Sequence, residues 1–176
     1  MSLFKKNLCA SLIKCLPLLI LGTSALAIAD TNDDRWSFFE KKVFNENPVV
    51  LPTEVPNPKN LVPFFPSPDS TLSFALDRKS LLVGSDDVVR YIVVISGPNG
   101  MHQTVFEGVR CDTYEYRSFA FLEDDGTWKL NSLGTWKRIP NQGYNQYQSK
   151  LARSGFCIGT DPNSSIEQMF TLLPTL

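Results

Sequence analysis

Arg90 and Arg110 are the residues whose type and spacing most directly suggest chemistry. They lie on either side of Ser96-Gly97-Pro98-Asn99-Gly100, a stretch with the residues of a chain reversal. If the flanking segments pair with the turn near Gly97 to Gly100, Arg90 falls roughly opposite Arg110. Two guanidinium groups facing each other across a strand pair repel unless negative charge lies between them. Glu107, Asp112 or Glu115 could supply that charge from within the chain. The alternative is an anionic ligand held by Arg90 and Arg110, with Tyr114 or Tyr116 as a polar neighbour; Arg90, Arg110 and Tyr114 are therefore the candidate binding residues.

A looser constellation is Trp128-Lys129 followed by Trp136-Lys137-Arg138. On paired strands it would gather two indoles and three cations, a surface suited to carbohydrate, glycan phosphate or lipid headgroups; core tryptophans beside solvated lysines are the simpler alternative.

Catalytic patterns are sparse. His102 is the single histidine, so it is the only imidazole base open to a serine or cysteine hydrolase, and the lack of a histidine cluster argues against zinc hydrolysis. Glu123-Asp124-Asp125-Gly126 reads as a solvated turn, because it lacks the spaced ligands of a calcium loop. Neither a phosphate-cradling nor a dinucleotide glycine motif occurs. No metal, cofactor or catalytic residue is assigned. An enzyme remains the alternative: a hydrolase or nuclease-like protein with Glu107 as base, Arg90 and Arg110 stabilising charge, and His102 as acid.

These residues need a scaffold, and hydropathy patterning supplies one. Thr71 to Leu76 and Ser80 to Val83 read as short strands, and Val88 to Ile95 as a central strand rich in β-branched residues. Gln103 to Cys111 returns as its hairpin partner, Thr113 to Leu122 alternates, and Thr127 to Leu130 and Thr135 to Ile139 follow. Towards the C-terminus, Tyr144, Tyr147 and Leu151 recur at helical spacing, with Gly155 placed to stop the helix. Asp161-Pro162 then reads as N-cap and first residue of a second helix carrying Ile166, Met169, Phe170 and Leu173. The expected fold is α+β: an antiparallel sheet of about five to seven strands over residues 69–176, packed by C-terminal helices.

Upstream, residues 48–68 hold seven of the twelve prolines and should run as extended chain, without sheet or helix, docked on the body of the domain. Residues 30–47 place Trp36, Phe39 and Val43 on one face of a short amphipathic helix. Residues 1–29 have the pattern of a secretory signal peptide, with Lys5, Lys6 and Lys14 ahead of an apolar run from Leu16 to Ile28 and small residues at its end. That run would cover only about 20 Å of a roughly 30 Å hydrocarbon core, so no membrane span is expected in the mature chain.

Charge is nearly balanced, with 17 basic and 18 acidic side chains, and the leader carries three of the lysines and no acid. The mature protein is mildly acidic, which disfavours nucleic acid as a main partner. Cys9 and Cys15 leave with the leader, so Cys111 and Cys157 remain as an even pair in an oxidising compartment and should form one disulfide.

The run Val88-Val89-Arg90-Tyr91, with Glu107-Gly108-Val109-Arg110-Cys111, Gly126-Thr127-Trp128, Trp136 and the late Cys157, resembles the cryptic-neisserial-protein-like family of exported proteobacterial proteins over roughly the C-terminal two thirds. The resemblance implies one exported domain in a Gram-negative envelope and brings no activity or catalytic residue with it. The combined expectation is an exported protein of the periplasm, or of the cell surface or medium. It would be a non-enzymatic binding module whose partner is another envelope protein or an anionic glycan.

Overall fold

The segment from Val88 to Ile95 offers water no continuous polar face, so both of its sides must be covered, and the architecture follows from that requirement. The computed structural model describes residues 43–68, 70–140 and 146–174, and Val43–Leu176 forms one unit. The expected leader, and residues 30–42 of the expected amphipathic helix with Trp36 and Phe39, lie outside the described residues.

The strands are β1 (Leu61–Phe64), β2 (Ser73–Asp77), β3 (Leu82–Val83), β4 (Val88–Ser96), β5 (His102–Arg110), β6 (Glu115–Leu122), β7 (Trp128–Leu130) and β8 (Lys137–Arg138). They form one antiparallel sheet of eight strands along the order β1-β2-β4-β5-β6-β7. The two short remaining strands complete borders: β3 shares an edge of β4 with β2, and β8 shares an edge of β6 with β7. A further pair, β9 (Cys157–Ile158) and β10 (Asp161–Pro162), stands apart as a two-residue ribbon. The protein is mostly sheet, with a few short helices near its C-terminus, and fits α+β in that loose sense.

One face of the sheet carries Phe74, Leu76, Tyr91, Val93, Val105 and Val109, and the C-terminal helices α1 (Tyr147–Leu151) and α2 (Ile166–Thr171) cover it through Tyr147, Leu151, Met169 and Phe170. The other face carries Val88, Ile92, Phe106, Phe119 and Ala120. Its cover is a strap of irregular chain from Val43 to Asn57, whose residues alternate so that Phe44, Val49 and Leu51 turn inward while Val43 and Val50 stay exposed. The described end of the expected amphipathic helix is thus extended chain.

Four expectations are corrected. First, the proline segment does contain a strand: β1 includes Pro63, tolerated because β1 is an edge strand with a side that needs no ladder donor. Second, Arg90 pairs with Gly108 and Arg110 with Val88, not with each other. The hairpin loop is centred on Asn99, closed by Gly97 N–H donating to the Met101 carbonyl at 2.9 Å, with Asn99 at φ 62° and Gly100 at φ 77°. Third, a bulge opposite Phe106 and Glu107 breaks the alternation of β6, so Phe119 and Ala120 face the strap and Phe121 joins Tyr116 on the helical side. Fourth, both helices are shorter than their patterns. Tyr144 lies outside the described residues, and α1 runs into a wide turn at Ala152–Phe156 instead of stopping at Gly155. Gly155 lacks a side chain because a Cβ there would come within 3.1 Å of Leu172 and of the Met169 carbonyl. Asp161-Pro162 forms β10, and the N-cap of α2 is Ser165, whose Oγ accepts from the Gln168 N–H at 3.2 Å.

Candidate functional site

The face beneath the strap carries the candidate arginines. Alternation along β4 and β5 puts Arg90 and Arg110 on that face with Val88 and Ile92, and Arg117 of β6 joins them opposite Gly108. Gly108 is small for a reason: a Cβ there would meet the Phe119 ring at 2.7 Å and Val88 at 2.9 Å. The Phe119 ring takes the Arg90 guanidinium at 5.5 Å and that of Arg117 at 5.3 Å from its centroid.

Each arginine is then neutralised from within. Arg90 donates to both oxygens of Asp86, at 2.8 and 2.6 Å, with almost no solvent access on either side chain. Asp86 lies in the turn between β3 and β4, where Gly84 leaves room: a Cβ would collide with its carboxylate. Burial alone would raise the Asp86 pKa, but the hydrogen bonds from Arg90 and from the Asn47 and Val88 N–H groups hold it down at about 2. Arg110 donates to Asp112 at 2.7 Å and to Glu115 at 3.4 Å, and its guanidinium stacks 3.6 Å from the centroid of Phe44. Arg117 donates to both oxygens of Glu46, at 2.9 and 2.7 Å. Phe44, Glu46 and Asn47, three residues of the strap, thus dock on three arginine centres.

Tyr114 does not join them. It leads into β6 with φ 55°, and its hydroxyl lies 3.0 Å from Ser149 Oγ and accepts from Arg153 Nε at 2.9 Å, on the helical side. Tyr116 packs on that side too.

Glu107 points away from the arginines. It is 2% exposed, inside the core beneath α1, and accepts from Tyr91 Oη at 2.9 Å and Ser118 Oγ at 2.8 Å. Burial raises its pKa, against the opposing pull of the Ser118, Tyr91, Tyr147 and Gln148 hydrogen bonds. Burial likewise drives Tyr91 and Tyr147 well above the ordinary tyrosine value, reinforced by the Glu107 charge. His102 is exposed at the other end of β5, about 16 Å from Glu107 at the usual rise of a strand. Its Nδ1 lies 3.0 Å from Ser96 Oγ. The combination of Glu107, Arg90, Arg110 and His102 is therefore divided between two faces and two ends of the sheet.

Of the two tryptophans, Trp136 packs edge-on against Phe44 and Phe119, and Trp128 donates from Nε1 to the Glu54 carbonyl at 3.1 Å. Both indoles serve to hold the strap; Trp128 lies in β7 and Trp136 just ahead of β8, and these two strands pair with β6 and not with each other. Lys129, Lys137 and Arg138 remain exposed.

Asp112 and Glu115 were legible as partners for Arg110. Asp86, Phe44 and Glu46 were not singled out; the Gly84-Ser85-Asp86-Asp87 turn just ahead of Arg90 is a local signal for the first, and Glu46 meets Arg117 across 71 residues with no local signal at all. The disulfide is present: Cys111, just after β5, is bonded to Cys157, which opens β9.

No helix among the described residues is long and apolar enough to cross a membrane, and no group of three or more histidine, cysteine, aspartate or glutamate side chains among them could hold a metal. No curated protein and no solved structure gives a significant match to the chain. A family model, that of the CNP1-like family, matches residues 39–173, which takes in the strap, the whole sheet and the disulfide. The chain belongs to the CNP1-like family.

Proposed function

We propose that this protein is an exported, non-catalytic binding module of the Gram-negative cell envelope, acting through contact with another envelope protein. One observation carries the reading: the groups best suited to chemistry are closed on each other. Arg90 is held by Asp86, Arg110 by Asp112 and Glu115, and Glu107 by Tyr91 and Ser118, so burial has turned them into parts of the scaffold. The leader pattern and the Cys111–Cys157 bond support an oxidising compartment. An anionic glycan is the other partner class, and it would use exposed cations such as Lys129, Lys137 and Arg138, since Arg90 and Arg110 are already neutralised.

The test is a crosslinking pulldown with the mature protein from envelope extract, run with and without glycan-degrading enzymes. A protein captured under both conditions, and lost when its contact surface on this chain is mutated, supports the reading. Capture abolished by glycan digestion moves the partner to the glycan class. Intact-mass analysis of the chain from its host should show residues 1–29 removed; their retention would contradict export.

A hydrolase remains the second reading, for one reason: Ser96 Oγ and His102 Nδ1 are within hydrogen-bond reach. A fluorophosphonate probe that labels the protein, and fails to label Ser96→Ala, would favour it.

A further inference from the structure

The strap is seated on the sheet through side chains. Residues 43–56 belong to no strand and make no backbone-to-backbone hydrogen bond among the described residues. Glu46 accepts from Arg117 at 2.9 and 2.7 Å, and Phe44 packs on Arg110 and Trp136. Asn47 donates from its backbone N–H to Asp86 at 2.9 Å and from Nδ2 to Ser85 at 3.0 Å, while Val49 and Leu51 pack on the apolar face. Among the described residues Arg117 has no other carboxylate partner.

A segment bound in this way docks like a separate peptide, and a short link keeps it on its own sheet. In that link Pro52, Pro56 and Pro58 fix φ at about −65° and push Leu51, Val55 and Asn57 before them into extended backbone. Asn57 is so placed, at φ −79° and ψ 127°. Thr53 and Glu54, where the chain bends, are left to fold the strap back. The donation from Trp128 Nε1 to the Glu54 carbonyl is the one hydrogen bond described at that bend. Straightening these two residues would lift the strap without breaking a backbone pairing, and would uncover Ile92 and Phe119 and leave Arg117 without its carboxylate. One occupant is shown to fit the uncovered face: the strap, which every copy of the chain carries.

We infer that two copies of this chain exchange straps, each laying Phe44, Glu46 and Asn47 on Arg110, Arg117 and Asp86 of the other. The exchanged pair repeats the strap contacts of two closed chains, so those contacts cancel and the link decides the balance. A short flexible link holds a chain's own strap at an effective concentration on the order of 1 mM, and prolines that oppose the bend lower that figure. The closed chain therefore prevails when dilute and the exchanged pair when concentrated. This goes beyond the envelope-partner reading and does not depend on it, because the partner is the chain itself.

The experiment reverses the Glu46–Arg117 pair on two separate chains, each purified from the native host. Glu46→Arg and Arg117→Glu each set like charges together, whether the strap lies on its own sheet or on that of an identical copy. Mixed in equal amounts, the two chains can match both straps only by exchange. Sedimentation at roughly 0.1 mM should show monomers of either variant alone and a one-to-one dimer in the mixture. The control carries Glu46→Arg and Arg117→Glu in one chain and should resist cleavage between residues 43 and 57 as the parent does. A mixture that stays monomeric while the control is protected overturns the proposal, as do dimers of either variant alone, which would use another surface. Where the control is cleaved or a variant fails to fold, Thr53→Pro/Glu54→Pro decides. Stiffening the bend should raise the dimerisation constant by at least about tenfold with the strap still protected; a monomer up to about 1 mM, or a dimer whose straps are cut, overturns the proposal.

Discussion

The guanidinium of Arg110 lies 3.6 Å from the centroid of Phe44, so a residue at the end of a central strand is capped by an aromatic ring from the strap. Phe44 also packs edge-on against Trp136, at 5.9 Å between centroids. Removing the ring deletes a cation–π contact, an aromatic pair and the burial of a large apolar side chain together. Phe44→Ala should lower stability by about 2 kcal/mol, read from denaturant midpoints. Limited proteolysis should cut first between residues 43 and 57. Loss of stability with no new cleavage in that stretch would mean the strap is held elsewhere.

The bond between Cys111 and Cys157 closes a sequence separation of 46 residues and ties the end of β5 to the segment between the helices. In the chain-entropy picture, a loop of that size contributes about 4 kcal/mol. Replacing both cysteines with serine should reduce stability by about that amount. Reduction of the wild-type protein should produce the same midpoint as the double variant.

Asp86 ionises at about 2 in the folded protein against an ordinary 3.8. A folded pKa below the unfolded one gives stability that is complete above the unfolded value and is lost as the pH falls towards 2. Asp86→Asn should therefore be less stable than the parent at neutral pH, by about 1–2 kcal/mol once solvent screening is discounted. The two proteins should converge in acid. A constant difference from pH 7 to pH 2 would remove the Arg90 pair as the cause.

Glu107 works in the opposite sense. Its folded pKa is raised above 4.5, so its contribution is full below that value and declines as the pH rises through the folded pKa. The stability of Glu107→Gln relative to the parent should increase with pH across that window, as denaturant midpoints at several pH values would show. Glu107→Leu should cost about 2 kcal/mol or more at any pH, because it strands the hydroxyls of Tyr91 and Ser118 in the core.

Much of the scaffold could be read before any coordinates because its signals are local. The β-branched run at Val88–Ile95, the turn residues after it and the alternation beyond them define β4 and β5 wherever the rest of the chain goes. The disulfide was legible because, with Cys9 and Cys15 assigned to an expected leader, the cysteine count left one pairing. The candidate site was less legible, and each miss has a physical cause. A loop centred on Asn99 instead of Gly100 moves every hairpin partner by two, which keeps Arg90 and Arg110 on one face but removes them from each other. The bulge in β6 depends on Phe119 and Ala120 packing under the strap, a tertiary demand that the alternation of β6 does not record. Glu107 reads in sequence as a partner of the arginines or a base beside them; only the fold shows that it lies on the opposite face, roofed by α1. Asp-Pro is a sound helix start in isolation, yet Asp161 and Pro162 are taken up by pairing with Ile158 and Cys157.

Pro63 lies in the outermost strand at one end of the sheet, and beyond it the Phe65 N–H is already spent on the Pro174 carbonyl at 2.8 Å. A second polypeptide trying to lengthen the sheet along that border would find a missing donor followed by an occupied one. Copies of this protein are thus guarded against stacking strand to strand on that side, and a partner has to engage side chains there, not the naked backbone.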